Sequence, residues 1–415
     1  MKFGNRNRVV ITGLGAIAAN GIGKDEFWKT LVAGESAISG ITHFDASGLK
    51  SQIAGEVKGF DPYNYIESSF KVKRRARHTQ FAVVATAMAL RDAGLNAKKL
   101  NLNHPIPVLV GVGSSSFEMI ADSAIAIAKK GARHATPVLI AECSPNSVTG
   151  AVAEYLAVPT QCMTYSTACA AGLDAIAGGV ERIRRGEADM VIAGGTETPI
   201  SMVPLANFDN AGMASRRNAD PEKASRPFDK LRDSGVISEG CGMVVLENLE
   251  HALARGARPY LEVIGYGTES DLEPEKPCSG FEFSMKKALA NAAILPRDID
   301  YICAWGPSHP LIDRIETEMI KQVFGAYAYS LAMSSIKGVT GNPLAAAGPL
   351  MLISCALMFR HDLIPPTANY EVPDPDCDLD CVPNVARPQK VRYALLNAHG
   401  VGGANSTMIL KRCGL

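Results

Sequence analysis

The stretch Tyr165-Ser-Thr-Ala-Cys169-Ala-Ala-Gly-Leu-Asp174 decides how the chain is read. A polar strand end runs into a cysteine, and a helix rich in alanine and glycine follows at once. This sets a thiol at a helix N-terminus, where the partial positive charge of the unpaired N–H groups favours thiolate over thiol. A lowered thiol pKa is therefore expected at Cys169. Ala170, Ala171 and Gly172 carry little or no side chain, so the helix can bury itself closely against its neighbours. From this stretch alone, Cys169 fits either a nucleophile or an ordinary packed core cysteine.

Outward from it, continuous apolar runs at Arg8–Ile17, Pro107–Val112, Asp189–Gly195 and Gly242–Leu246 predict strands covered on both faces. Helical stretches at Thr79–Ala93, Ala171–Arg185 and Pro349–Arg360 alternate with them, which predicts an α/β fold. Two small-residue helices, Ala170–Gly179 and Ala345–Ile353, each follow a polar turn, one in each half of the chain. They hint at internal duplication with a site between the halves. A charged segment near Glu250 marks the boundary, giving halves 1–250, which carries the cysteine, and 251–415. The pattern Gly13-x-Gly15-x-x-Ala18 lacks the third glycine of a dinucleotide loop, and no acidic residue closes a second strand about 20 residues on. It is read as a tight turn at a buried strand end, and no cofactor is expected.

Lys+Arg and Asp+Glu are both 42, so the net charge is zero and no nucleic-acid footprint is indicated. The exception is Lys71-Val-Lys-Arg-Arg-Ala-Arg77, which is either a solvated face or a docking patch for an acidic carrier protein. No run reaches the ~18 uninterrupted apolar residues of a membrane span. The opening residues have no signal-peptide architecture, so a cytoplasmic protein is expected. The ten cysteines should then be reduced. Cys377 and Cys381 lie close together, but no second ligand pair follows at metal-site spacing, and no metal is expected.

With these motifs in order, the whole chain resembles bacterial β-ketoacyl-acyl-carrier-protein synthases of the elongating type, within the thiolase superfamily. The resemblance runs from Val9-Val-Ile-Thr-Gly-Leu-Gly15 and His43-Phe-Asp-Ala-Ser47 through the cysteine motif to Ala193-Gly-Gly-Thr-Glu-Thr198. It continues through Ser225-Arg-Pro-Phe-Asp229, Glu239-Gly-Cys-Gly-Met-Val-Val-Leu-Glu247, Ser334-Ser-Ile-Lys-Gly-Val-Thr-Gly341, Cys377-Asp-Leu-Asp380 and Gly400-Val-Gly-Gly-Ala-Asn405. It implies a five-layered αβαβα thiolase fold of two pseudo-duplicated halves, a dimer, and substrates carried as thioesters on acyl carrier protein. It also implies Cys169 as nucleophile, an oxyanion hole from the backbone N–H groups of Cys169 and Val401, and Lys337 as the lysine beside the site. Asp313 and Glu316 match its acidic neighbours. Val401 stands where the family usually has a gating Phe.

The chain departs from the family at both histidines. The first His position, in Cys303-Ala-Trp-Gly-Pro-Ser-His309, is Trp305; the second, in Lys337-Gly-Val-Thr-Gly-Asn342, is Asn342. Imidazole exchanges protons near neutral pH, whereas indole only donates a hydrogen bond. His309 lies four residues on, and a strand end does not bring residues four apart to one point. Losing acid–base assistance costs ~10²–10⁴-fold, so decarboxylative condensation by this chain alone is not expected. Three readings follow. The first is a partner subunit like the chain-length factor of type II polyketide synthases, in a heterodimer with an intact ketosynthase. The second is a Cys169-dependent acyltransferase, and the third a conventional 3-oxoacyl synthase.

Overall fold

The computed structural model describes residues 7–97, 100, 105–114, 116–273 and 275–414. Residues 1–6, part of the opening segment read above for targeting signals, lie outside them. Ten strands carry the fold. The first half has β1 (Val9–Ala18), β2 (Ile106–Gly111), β3 (Thr160–Tyr165), β4 (Met190–Glu197) and β5 (Gly240–Asn248). The second has β6 (Leu261–Ser270), β7 (Tyr301–Cys303), β8 (Ala332–Ser334), β9 (Tyr393–Gly400) and β10 (Ala404–Arg412).

Across the first half the order is β3-β2-β4-β5-β1, and across the second β8-β7-β9-β10-β6. Counted within each half, both read third, second, fourth, fifth, first. The orientations repeat as well: β2 is parallel to β3 and β4, β7 is parallel to β8 and β9, and the remaining pairs are antiparallel. The two sheets meet where β1 pairs with β6 at Val10 and Ile11.

The helices that matter here are α1 (Arg77–Asp92), α2 (Phe117–Lys130), α3 (Ala171–Arg184), α4 (Phe281–Ala292), α5 (Pro310–Phe324) and α6 (Ala347–His361). Side-chain alternation along the strands shows how they layer. Val108, Val110, Ile192, Met243 and Val245 share a core with α1. Their chain neighbours Leu109, Val191, Ala193, Val244 and Leu246 share the other core with α3 and α6. The first sheet therefore has α1 on one face and α3 on the other. The second sheet is covered by α4, with α5 packed on α4. Helices α3 and α6 hold equivalent places, after the third strand of each half, and pack against each other in the middle. This is the αβαβα arrangement, and it joins the two small-residue helices that the sequence singled out.

Small residues are required at that junction. A Cβ on Gly172 would fall 2.3 Å from the Ala345 carbonyl oxygen. The glycines of the opening run act in the same way: a Cβ on Gly13 or Gly15 would fall 2.1 or 1.9 Å from the Ala89 or Ala85 carbonyl oxygen. These glycines lie inside β1 under α1, so the expected tight turn is corrected to a close strand–helix approach. Leu344–His361 is long and apolar enough to cross a membrane by composition, but 89% of it is buried in the fold.

The basic run is largely committed within the chain. Arg75 pairs with Glu142 at 2.9 Å and with Glu154 at 2.5 Å, Arg77 with Glu239 at 2.7 Å, and Lys73 with Asp61 at 2.9 Å. Cys377 and Cys381 are buried and unbridged, the former accepting from Arg232 at 3.4 Å.

Candidate active site

Cys169 sits in a single 3₁₀ turn that leads from β3 into α3. The turn opens at Ala168, whose φ of 51° is left-handed, a strained placement of the kind that accumulates at functional sites. The turn is pinned through Asp174, which accepts from the Thr167 and Ser406 hydroxyls. The thiol lies against the backbone N–H groups of Val401 and of Cys169 itself. Both pull its pKa down, as does Lys337, but burial outweighs them with help from the Glu197 carboxylate, and the thiol is pushed up to about 12. The lowered pKa expected from the helix N-terminus is thus overturned. Cys169 is 7% exposed, and desolvation of a thiolate there exceeds what one helix end returns.

Glu197 is itself held by the N–H of Gly113 at 2.8 Å, the N–H of Ser114 at 3.0 Å and the Ser114 hydroxyl at 2.9 Å. Burial nonetheless raises it to about 7.

Two cavities meet at Cys169. One, of about 440 Å³, is lined by Trp305, His309, Asn342, Asp271 and His399 among others. The second, of about 360 Å³, is almost wholly apolar and is bounded by Phe117, Val203, Pro204, Phe208 and Leu344. Val401 borders both and is 55% exposed.

Trp305 follows β7 and is buried. The Lys337 ammonium stands 3.8 Å from the centroid of its ring and donates to its carbonyl oxygen. Burial pulls Lys337 down to about 8, against the opposing charges of Glu316 and Asp313. Glu316 accepts from the N–H groups of Trp305 and Gly306, each at 2.8 Å, and from the Asn397 amide at 3.2 Å. Asp313 accepts from the N–H of Phe228 at 2.9 Å and of His309 at 3.2 Å, and burial raises it to about 7. The two carboxylates therefore fix the loop that carries Trp305 and His309.

Asn342 is locked by its backbone, which donates to Val236 and accepts from Ser238. Its side-chain oxygen is buried and has no hydrogen-bond partner among the described residues. The residues carried over from the resemblance thus converge here, with Lys337, Asp313 and Glu316 behind the cavity wall.

Two histidines alter the picture drawn from sequence. Gly306 and Ser308, with φ of 34° and 69°, turn the chain after β7 and bring His309 to the same cavity as Trp305. The segment is a turn and not a straight strand end, so both residues border one cavity although they lie four apart. His309 Nδ1 accepts from Leu311 N–H at 3.2 Å, capping α5. His399, at the end of β9, was missed altogether. It is 5% exposed, and its Nδ1 lies 3.0 Å from Asn405 Oδ1 and 3.9 Å from Asp271 Oδ2. Burial lowers its pKa, while Asn405 and Asp271 act to raise it. The signal was the His in Asn397-Ala-His-Gly-Val401, just ahead of the glycine loop.

Fold and site together define a thiolase-fold protein with a cysteine between two pseudo-duplicated halves. The description "Beta-ketoacyl synthase, N-terminal domain" matches residues 6–252, and "Beta-ketoacyl synthase, C-terminal domain" matches 260–371. The chain belongs to the β-ketoacyl synthase family. It is 40% identical to the tetracenomycin polyketide synthase ketoacyl synthase alpha subunit of Streptomyces glaucescens, over 98% of this chain and 97% of that one. It is 39% identical to 3-oxoacyl-[acyl-carrier-protein] synthase 2 of Coxiella burnetii, over 98% and 99%. Among solved structures, the ishigamide ketosynthase/chain length factor superposes with a TM-score of 0.91 at 34% identity, covering 99% of this chain and 100% of that one.

Proposed function

We propose that this chain takes acyl groups from acyl-carrier-protein thioesters onto Cys169 within polyketide or fatty-acid synthesis, and does not by itself carry out decarboxylative condensation. The observation that carries this is the junction of two cavities at a thiol faced by two backbone N–H groups. The apolar cavity suits an acyl chain. In this reading the N–H groups of Cys169 and Val401, which face the thiol, receive the carbonyl oxygen of a thioester at Sγ, where such donors stabilise a developing oxyanion. The other cavity has Trp305 and Asn342 at the two family His positions, and its two imidazoles, His309 and His399, stand at other places. The Coxiella burnetii relative is named as a 3-oxoacyl-[acyl-carrier-protein] synthase, which points to the donor. A cytoplasmic setting fits such a donor.

The test is the intact mass of the protein after exposure to a panel of acyl-carrier-protein thioesters, with Cys169→Ala as control. A mass gain equal to the acyl group, absent in the variant, is expected. No gain from any donor would overturn the proposal.

The second reading, a partner subunit of an intact ketosynthase, stood first on sequence. It is favoured by the edge strand β3, whose Gln161, Cys162 and Met163 are exposed, and by relatives named as a subunit and as a ketosynthase/chain length factor. Co-expression with an intact ketosynthase, followed by mass measurement of the assembly, separates a heterodimer from a homodimer.

A further inference from the structure

The tautomers of the two cavity histidines are set by their neighbours, and they differ. Asn405 Nδ2 donates to Asp271 Oδ1 at 2.8 Å and to the Gly403 carbonyl oxygen at 3.0 Å, which fixes that atom as the amide nitrogen. Asn405 Oδ1 is therefore an acceptor, and His399 Nδ1, 3.0 Å away, must carry the hydrogen. In neutral imidazole the lone pair then lies on Nε2. Nε2 has no partner among the described residues, and the ring lines the Cys169 cavity. His309 is the reverse: its Nδ1 accepts from backbone N–H groups, so Nε2 bears the hydrogen and can only donate. Asp271, 3.9 Å from His399 Nδ1, is the charged group facing the ring. It favours the imidazolium once a proton arrives. An imidazole whose far nitrogen is oriented by an amide and backed by a carboxylate is the general pattern of an activating base beside a nucleophilic cysteine.

We propose that His399 Nε2 is the proton acceptor of this cavity and that it equips acyl-Cys169 to pass its acyl group to a protic acceptor, a hydroxyl or an amine, rather than to a carbanion. This rests on the acyl-transfer reading above. In the step, the acceptor's oxygen or nitrogen bonds to the acyl carbon and its proton moves to Nε2. The carbon–sulfur bond then breaks, and the proton passes from the imidazolium to the leaving Cys169 thiolate. No other reactant is consumed.

The experiment follows the loss of the acyl mass from protein already loaded at Cys169, in buffer and with ethanolamine as acceptor, for the wild type, His399→Phe and His399→Gln. Because only the loaded fraction is followed, differences in loading do not enter. The expected result is transfer to ethanolamine that slows ~10²–10⁴-fold in both variants. Rates within about tenfold of wild type in both would overturn the inference while leaving the acyl-transfer reading standing. If Cys169 takes up no acyl group, that reading fails first. Histidine ¹⁵N spectra, assigned by His399→Gln, then judge the inference separately: a hydrogen on Nδ1 supports it, and a hydrogen on Nε2 overturns it.

Discussion

The Lys337 ammonium stands 3.8 Å from the centroid of the Trp305 ring and bonds the same residue's carbonyl oxygen. The lysine thus holds the indole from both ends of the residue, face and backbone, and a cation over an aromatic face in a desolvated site is worth about 2 kcal/mol or more. The indole is a built part of the cavity wall. A wall cannot shuttle protons, and this bears directly on the chemistry at Cys169.

The isolated wild-type protein should therefore form no measurable ketide from malonyl- and acyl-carrier-protein thioesters. Replacing both positions, Trp305→His with Asn342→His, should raise malonyl decarboxylation ~10²–10⁴-fold above that background. Trp305→His alone should restore less, because Asn342 donates but takes up no proton. Release of carbon dioxide is the readout, and ready condensation by the wild type would refute the account.

Removing the lysine charge should destabilise the fold. Lys337 is buried, and Glu316 and Asp313 are buried behind it. Taking away one member of a buried charge cluster costs about 3–5 kcal/mol when the rest stay ionised. Lys337→Met, close in length, should lower the urea midpoint accordingly. A loss below about 1 kcal/mol would mean that the carboxylates simply take up protons.

Cys169 should behave as a hidden thiol. With its pKa pushed to about 12, iodoacetamide alkylation at Cys169 should rise about tenfold per pH unit from about pH 7 to about pH 10 without a plateau. An ordinary thiol levels off above about pH 9. Peptide mapping resolves Cys169 from the exposed Cys162. A plateau near neutrality would reinstate the thiolate expected from the helix N-terminus.

That reversal shows where the sequence stops being legible. The motif around Cys169 declares a turn and a helix because those are local, and the pairing of the Ala171 and Ala347 helices follows from their matching small residues. The thiol's pKa depends instead on burial by the surrounding fold and on the Glu197 carboxylate from a distant segment, and the helix-end argument contained neither. The same holds for Arg75 and Arg77, whose partners Glu142 and Glu239 lie far along the chain. That His309 borders the cavity was not legible because the turn at Gly306 and Ser308 is a backbone event with no strong signature. His399 was missed because a motif defined by family glycines begins one residue after it.

Buried His78 should make stability fall in mild acid. Burial lowers it from 6.5 to about 4, against a weaker upward pull from Glu142, and its Nε2 has no partner among the described residues. Between those values the unfolded chain binds a proton that the folded chain refuses, so stability drops as pH falls through this window. At about pH 5 the cost is about 2 kcal/mol. Glu197 and Asp313, both raised to about 7, act in the opposite direction, so the comparison is with His78→Gln. Going from about pH 7.5 to about pH 5, the wild type should lose about 2 kcal/mol more than the variant in urea unfolding. Equal losses would show that His78 takes its proton within the fold.

The edge strand β3 supplies the last test. Among the described residues it pairs only with β2, leaving its other side unpaired, and it exposes Met163 at 42% of its surface. Helix α2 also exposes apolar side chains, Phe117, Ile120, Ile125 and Ile127. Unpaired edges with apolar side chains are normally covered, and a second chain of the same family, presenting the same strand, is the cover proposed here. Met163→Arg sets like charges against each other across such a two-fold contact and should shift the protein to monomer by sedimentation or light scattering. The same substitution should weaken a heterodimer less, since the partner's strand need not carry the matching arginine. A wild-type monomer at micromolar concentration, with or without an intact ketosynthase, would remove both assemblies.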